Sequence, residues 1–217
     1  MGICYETGKG TTKDTVKASF WIERAAQQGN PEAQNELGVR HQTGIGFPID
    51  PTKAAYWYGK AAEQGHPNAQ YNMGLLFKTG EGVEQNLAVA ATWWRKAADQ
   101  DVPQAQYNLG LCYARGVGMT YDAKEAFYWF KRAAELGLPE AQNGVGYFYA
   151  TGQGVARNVV EAYAYYNLPG LEQEITQTNL AKLKSEMTAE QVNSGIQRST
   201  ELRKESETKI AAKKAGK

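Results

Sequence analysis

The sequence predicts an all-α fold, a right-handed α-solenoid of helix-turn-helix repeats, from three observations. The first is an Ala-Gln pair that recurs every 36 residues without an insertion, beginning at Ala33, Ala69, Ala105 and Ala141. The second is a tryptophan column in the same register, at Trp21, Trp57, Trp93 and Trp129. The third is a fixed spacing of proline and glycine in every unit. A period of this length is typical of short helical units that stack to share a core.

Each unit is predicted to open with a helix A that starts at a proline. The prolines lie in register at Pro31, Pro67, Pro103 and Pro139. Proline is tolerated at the first position of a helix because its missing N–H would have had no partner there. After about ten to twelve helical residues, glycine pairs able to take a positive φ predict a tight turn. These pairs are Gly44 and Gly46, Gly80 and Gly82, Gly116 and Gly118, and Gly152 and Gly154.

The second helix of each unit, helix B, is predicted to begin after a short polar N-cap. The cap column is Asp14, Asp50, Asn86, Asp122 and Asn158. Losing one such cap should cost about 1 kcal/mol. A glycine column at Gly38, Gly74, Gly110 and Gly146 predicts close helix crossings. We expect the tryptophans to fill the space opposite, so that Trp93→Ala costs about 3 to 5 kcal/mol.

Composition excludes several classes of partner. The chain carries 24 basic and 23 acidic residues, a net charge of +1. Such a balance gives no general attraction to nucleic acid or to anionic membranes. No apolar stretch is long enough for a membrane span, and the first residues lack the apolar run of a signal peptide. The chain as given is therefore predicted to be soluble.

No catalytic, metal or cofactor site is predicted. His41 and His66 are the only histidines, and neither has a neighbour at metal-ligand spacing. Cys4 and Cys112 lie three periods apart, beyond disulfide reach in a stack, and Cys112 is interpreted as a small packed residue. The glycine pairs lack the strand and the terminal Lys of a phosphate loop. The basic column of Arg24, Lys60, Lys96 and Arg132 is interpreted as solvated charge. The sequence thus predicts neither an enzyme nor a small-molecule substrate.

The repeat pattern resembles a known family. Written out, it is A-Q-x-x-[LM]-G-x-x-[aromatic]-x-x-G-x-G, followed by [DN]-x-x-x-A-x-x-W-[aromatic]-x-K-A-A-x-x-G. This pattern closely resembles the Sel-one-like repeats, relatives of the tetratricopeptide repeats, over about residues 1 to 168. The segment that follows looks like the terminal capping helices of bacterial members. Thr188 and Gln191 form a potential capping box, and the basic end, KIAAKKAGK, is interpreted as a frayed, solvated tail.

The resemblance and the register together predict the domain boundaries. Residues 1–30 form a truncated first repeat, residues 31–66, 67–102, 103–138 and 139–168 form four further repeats, and residues 169–217 form the capping helices and basic tail. The first repeat is short because Met1-Gly2 aligns with Leu37-Gly38. We therefore expect further chain upstream, with room for an export signal, which leaves the compartment open between the cytoplasm, the periplasm and secretion.

Resemblance to tetratricopeptide-type solenoids implies that helix A lines a concave face. Variable positions on helix A are therefore the candidate partner-binding residues. They are Asn35, Glu36, Tyr71, Asn72, Lys78, Tyr107, Asn108, Arg115 and Asn143. Asn offers both a donor and an acceptor to a peptide backbone, and Tyr supplies rigid contact area. The alternative, that Tyr71 and Tyr107 only pack between layers, stays open at the level of sequence.

These residues favour a non-enzymatic module that binds a protein or peptide in this groove. Two alternatives come from the resemblance and from the aromatic content. One is an immunity or inhibitor protein that neutralises a bacterial toxin or effector, and the other binds cell-envelope glycan. Nucleic acid is not expected as a partner.

Overall fold

A computed structural model describes residues 2–168 and 174–215, which form helices joined by short loops without any β-strand. The predicted all-α repeat fold is confirmed. The chain divides into two compact units, residues 1–100 and residues 101–217. Each unit has its own core and is described separately.

Unit 1 contains six helices in the described part of the chain. Helices α3 and α5 are A helices, whereas α2, α4 and α6 are B helices. Their bounds are α1 Gly2–Thr7, α2 Thr15–Gln27, α3 Pro31–Thr43, α4 Pro51–Glu63, α5 Pro67–Thr79 and α6 Leu87–Asp99.

Unit 2 continues the alternation and ends with two helices outside the repeat pattern. Helices α7 and α9 are A helices, and α8 and α10 are B helices. The bounds are α7 Pro103–Arg115, α8 Ala123–Glu135, α9 Pro139–Thr151, α10 Val159–Tyr166, α11 Glu174–Ser185 and α12 Ala189–Ala215.

The predicted helix boundaries are confirmed in atomic detail. Each complete A helix begins at its proline and ends at a left-handed glycine, as α3 does at Gly44 with φ of 79°. Each B helix is capped by the predicted Asp or Asn side chain, as in α4, where Asp50 Oδ1 accepts from Lys53 N at 3.0 Å. That hydrogen bond lowers the pKa of the Asp50 carboxyl. The prolines, glycines and Asp or Asn caps identified in the sequence therefore determine where these helices begin and end.

The glycine column does mark close crossings, but the expected tryptophan column does not fill them. A Cβ on Gly74 would lie 2.3 Å from the Nε1 of Trp94, and one on Gly38 would lie 2.6 Å from the Cδ1 of Tyr58. The residue opposite each glycine is thus one position after the tryptophan column. Trp94 is 3% exposed, whereas Trp93 is only half-buried. The placement of Trp93 was wrong by one residue, about 100° around the helix.

The Ala-Gln pair ties the A helix to the B helix before it in three of the repeats. Gln34 Nε2 donates to the Ala26 carbonyl at 3.1 Å, and Gln70 Nε2 donates to the Ala62 carbonyl at 3.2 Å. Gln142 repeats the contact in unit 2. The alanine beside the glutamine is fully buried at Ala69, Ala105 and Ala141, whereas Ala33 is half-buried. The pair therefore satisfies buried carbonyls at the ends of B helices while leaving room for close packing.

A buried cation joins the first three helices of unit 1. Arg40 is fully buried and donates to Ser19 Oγ at 2.9 Å. Its Nε lies 2.9 Å from the carboxylate of Glu36, and its Nη2 contacts Glu6. The other repeats carry apolar residues at this position, Leu76, Cys112 and Phe148. Arg40 therefore replaces apolar packing with an ion cluster in the second repeat.

The end of unit 2 confirms one prediction and corrects another. Thr188 and Gln191 form the predicted capping box, with backbone-to-side-chain distances of 2.9 and 3.2 Å. The basic end is not a frayed tail, because α12 continues to Ala215. Lys209 lies 2.6 Å from Glu135, and Lys213 donates to the backbone carbonyl of Asp101. These contacts hold the lysines on unit 2. Residues 169–173 and 216–217 of the predicted capping region lie outside the described residues.

Among the described helices, none combines the length and the apolar character needed to cross a bilayer.

Candidate protein-binding surface

The five candidate residues of unit 1 lie on its A helices. Asn35 and Glu36 on α3 and Tyr71 and Asn72 on α5 are half-buried, while Lys78 near the end of α5 is exposed. Asn72 Nδ2 donates to Asn35 Oδ1 at 3.2 Å, which bridges the two helices. Glu36 is engaged by Arg40, although burial raises the pKa of its carboxyl. In unit 1 the predicted amide and acid therefore contact each other or the protein.

Unit 2 has an open cleft between its two A helices. The cleft has a volume of about 450 Å³ and includes three predicted residues, Tyr107 and Arg115 from α7 and Asn143 from α9. Asn108 is half-buried on α7 but is not part of the cleft wall. The volume falls within the range of sites that bind small ligands or peptide side chains. Unit 2 therefore brings together three of its four candidate residues.

The floor of the cleft is apolar and aromatic. Phe130 from α8 is 3% exposed, and its ring lies 5.4 Å from the ring of Tyr107 and 5.6 Å from that of Phe148. Leu111 and Ala114 extend the same floor along α7. Aromatic rings at these distances form a rigid surface for another apolar group.

Polar groups surround this floor. Glu140 lies in the first turn of α9 and Arg115 in the last turn of α7, so opposite charges stand at opposite ends of the cleft. Burial raises the pKa of the Tyr107 phenol; the nearby Glu140 adds to this effect and Arg115 opposes it. Tyr107 therefore stays protonated at neutral pH and can donate a hydrogen bond.

Sequence analysis missed several residues of the cleft. Tyr147, for example, falls in a repeat column otherwise occupied by aliphatic Val39, Leu75 and Leu111, and this departure was a usable signal. Asn179 comes from α11, which lies outside the repeat, so no register could have placed it. The sequence analysis also did not name Tyr121, Glu140 and Gln153, or the floor residues Leu111, Ala114, Phe130 and Phe148.

A second, smaller cleft adjoins the first through shared residues. It has a volume of about 180 Å³, and Tyr147 and Asn179 line both clefts. Lys182 on α11 lies along it, and Arg157 and Glu186 form an ion pair of 2.7 Å at its edge. The open surface thus continues from α7 and α9 onto α11.

The B helices present a different surface. Tyr56 and Tyr128 are about half exposed, and each packs edge-on against the following tryptophan, with ring centroids 5.0 Å apart. The predicted basic column lies over these rings; Lys96 Nζ, for instance, is 4.0 Å from the ring centre of Trp93. Arg24, Lys60 and Lys96 are exposed, in keeping with solvated charge, and cation–π contacts with the rings beneath them add to this interpretation.

The histidines and cysteines take structural positions. His41 is buried and stacks on Phe47 at 4.8 Å, and the His66 ring caps α5 by accepting from Ala69 N at 3.2 Å. Cys112 is buried, as expected, and Cys4 is exposed; neither forms a disulfide. Over the described ranges, no group of three or more potential metal ligands is found.

A family model described as Sel1 repeat matches residues 1–30, 31–66, 67–102, 103–138 and 139–168. The chain belongs to the Sel1 repeat family. Sel1 repeats serve as protein-interaction modules, and their family consists in general of non-enzymatic scaffolds. No curated protein matches the sequence.

Solved structures of Sel1 repeat proteins share this fold. A Sel1 repeat protein from Oxalobacter formigenes is 33% identical with a TM-score of 0.75, over 84% of this chain and 53% of that one. A protective antigen of uropathogenic Escherichia coli strains, which displays the same type of fold, is 28% identical with a TM-score of 0.62, over 98% and 54%. This Sel1 repeat chain therefore spans about half the length of these two relatives.

An immunity protein from Pseudomonas aeruginosa is a weaker match. It is 19% identical with a TM-score of 0.49, over 93% of this chain and 83% of that one. At this distance the likeness carries no argument about what the Sel1 repeat chain binds.

Proposed function

We propose that the chain is a non-enzymatic module that binds a protein or peptide on the exposed surface of its A helices. The observation that carries the proposal is the cleft of unit 2. It combines an aromatic floor with amide, phenol and charged groups at its rim. Binding surfaces of this kind, with an apolar centre and a polar edge, are typical of protein interfaces.

The A helices of the two units carry different surfaces. In unit 1 the Asn35–Asn72 bridge and the half-buried Tyr71 form a polar surface. In unit 2 the corresponding surface is open and apolar at its base. We expect unit 2 to contribute most of the binding energy, because desolvated apolar contacts contribute more than exposed polar ones.

Affinity capture from the source organism's lysate, with mass spectrometry, tests the proposal. The informative variant is Tyr107→Ala/Arg115→Ala/Asn143→Ala, and Tyr71→Ala/Asn72→Ala probes unit 1. Tyr56→Ala/Tyr128→Ala on the B helices is the matched control. Circular dichroism must show all variants to be folded. A protein retained by wild type and control, but lost from the unit 2 variant, is the expected result.

Other outcomes point elsewhere. Equal retention by the unit 1 and unit 2 variants would move the site to the B helices or to α11 and α12. A toxin or effector as the retained protein would favour the immunity alternative. An empty capture, together with co-sedimentation of the chain with purified cell wall, would favour glycan binding.

A further inference from the structure

The cleft of unit 2 opens at a position where one repeat departs from the others. The residue two positions after the core glutamine column is Glu36 in the second repeat, Asn72 in the third and Asn108 in the fourth. In the fifth it is Gly144, which lines the cleft. An interior helical glycine costs about 1 kcal/mol relative to alanine, so this departure calls for an explanation.

The other repeats show what a side chain does at this position. In unit 1, Asn72 reaches across from α5 and donates to Asn35 on α3 at 3.2 Å. In unit 2 the residues at these two positions are Gly144 on α9 and Tyr107 on α7. Gly144 has no side chain to bridge the helices. The space that an amide pair closes in unit 1 is therefore open in unit 2.

Core packing does not by itself require this glycine. A Cβ on Gly144 would lie 3.3 Å from Phe130 Cδ1, a tight contact that requires the Phe130 ring to shift by a few tenths of an ångström. In unit 1, Tyr58, which is larger than phenylalanine, occupies the place of Phe130 while Asn72 keeps its side chain. A phenylalanine at position 130 is thus compatible with a side chain at position 144.

We infer that the gap over Gly144 is an anchor pocket for one large apolar side chain of an extended peptide. This inference rests on the proposed function and names the chemistry of the partner. Phe130, Phe148 and Leu111 form the floor that the apolar group would contact, and Tyr107 and Tyr147 form the sides. A buried anchor enclosed by aromatic side chains is the usual form of an interface hot spot.

The charges at the two ends of the cleft determine the order of acidic, apolar and basic residues in the peptide. Arg115 and Glu140 form no ion pair within the described part of the chain. An acidic residue therefore matches the Arg115 end, a basic residue matches the Glu140 end, and the apolar anchor lies between them. The amides of Asn143, Gln153 and Asn179 can hydrogen-bond the peptide backbone along this path.

The test is selection of a displayed library of random peptides on the full chain, followed by affinity measurements with synthetic peptides. We expect the selected peptides to share one large apolar residue, with an acidic residue on one side and a basic residue on the other. Replacing that apolar residue by Ala should weaken binding about tenfold or more.

The decisive variant is Gly144→Asn, which restores the residue found in the third and fourth repeats. This variant should fold as wild type does and bind the selected peptides at least about tenfold more weakly. The matched control is Gly59→Asn on α4, where a Cβ meets nothing within 4 Å; it should bind like wild type. If Gly144→Asn perturbs the fold, Tyr107→Asn/Gly144→Asn, which rebuilds the bridge seen in unit 1, is used in its place, and Tyr107→Asn alone is the control for the lost ring.

The two proposals fail in different ways. Selected peptides without a shared apolar residue, or equal binding by Gly144→Asn, would overturn the anchor pocket while leaving peptide binding in place. If the selection returns no peptide that binds the wild-type chain, this result would count against both the proposed function and the anchor pocket.

Discussion

Two glycines in unit 1 separate the cost of helix propensity from the cost of close packing. Gly38 faces the Tyr58 ring at a distance that leaves no room for a Cβ, whereas Gly59, one residue after Tyr58, faces open space. We expect Gly38→Ala to destabilise the fold by about 1 to 3 kcal/mol. Gly59→Ala should stabilise it by up to about 1 kcal/mol. Urea denaturation measures both, and a stabilised Gly38→Ala would show that the crossing is looser than described.

Adjacent tryptophans on α6 provide a second test at the scale of the residue. Trp94 is 3% exposed and lies against Gly74, whereas Trp93 is half-buried with Lys96 over its ring. Trp94→Ala should cost about 3 to 5 kcal/mol. Trp93→Ala should cost clearly less, because part of its ring is already in water. The reverse order in chemical denaturation would restore the register that the sequence suggested.

Asp101 is held in a conformation that the other repeats give to glycine. Its φ is +59°, and the corresponding residues are Gly29, Gly65 and Gly137. Its carboxylate lies 2.5 Å from Arg132 and accepts from Gln106 at 3.0 Å. Removing the carboxylate costs these contacts in any variant, but alanine also keeps a Cβ in the left-handed region.

We therefore expect Asp101→Ala to be less stable than Asp101→Gly by about 1 kcal/mol. Thermal or urea unfolding of the two variants, compared at the same protein concentration, measures the difference. Equal stability would mean that residue 101 does not hold a left-handed backbone in solution.

At the scale of the helix, the sequence predicted the helix ends, because local chemistry determines them. Proline at the start of α3 and Asp50 before α4 act through their own backbone geometry or nearest N–H groups, so a single sequence reveals them. The register of Trp93 and Trp94 was different, because two adjacent aromatic columns fit the same pattern and only the facing glycine distinguishes them. That glycine lies on another helix, so which of the two tryptophans it faces depends on how the helices pack.

The residues of the candidate site also fall into those that the sequence could predict and those that depend on packing. Tyr107, Arg115 and Asn143 could be predicted because they occupy variable positions of a recognisable helix A. The contribution of Asn179 from α11 could not, because α11 follows no repeat. Gly144 was visible as a departure from its column, but the consequence of losing that side chain depends on the Asn35–Asn72 bridge that the structure shows.

Helix α12 provides a prediction of its own. A Cβ on Gly195 would lie 2.6 Å from Cδ1 of the buried Tyr163, and Ser199 and Leu202 are also buried along this contact with α10. Gly195→Ala should therefore loosen α12 and destabilise unit 2 by about 1 to 3 kcal/mol. Hydrogen exchange should show faster exchange in α12, whereas the exposed neighbour Ser194→Ala should leave it unchanged. Unaltered protection in Gly195→Ala would mean that α12 does not pack on α10 through this glycine.

At the scale of the whole molecule, three buried tyrosines make the free energy of unfolding depend on pH in the alkaline range. Burial raises the pKa of the Tyr58 and Tyr165 phenols above the ordinary value and raises the pKa of Tyr166 to about 12. All three side chains are almost inaccessible to solvent. The cause in each case is the cost of placing a phenolate among apolar neighbours.

The sign of the effect follows from the protonation of the two states. An unfolded tyrosine loses its proton near pH 10, whereas these folded tyrosines keep theirs to higher pH. Above about pH 10 the unfolded chain binds fewer protons than the folded chain, so the free energy of unfolding falls as pH rises. Below that pH the tyrosines are protonated in both states, and their contribution is constant.

We expect the free energy of unfolding to decline from about pH 10 upward, with Tyr166 contributing about 2 kcal/mol of the loss by about pH 12. Urea denaturation over this pH range measures the decline, and tyrosinate absorbance follows the ionisation. Tyr166→Phe removes the phenol and should make the decline shallower, while Phe substitution of the exposed Tyr56 leaves the buried phenols in place and is the control. A decline of equal slope in Tyr166→Phe would mean that this phenol is not buried in the folded chain.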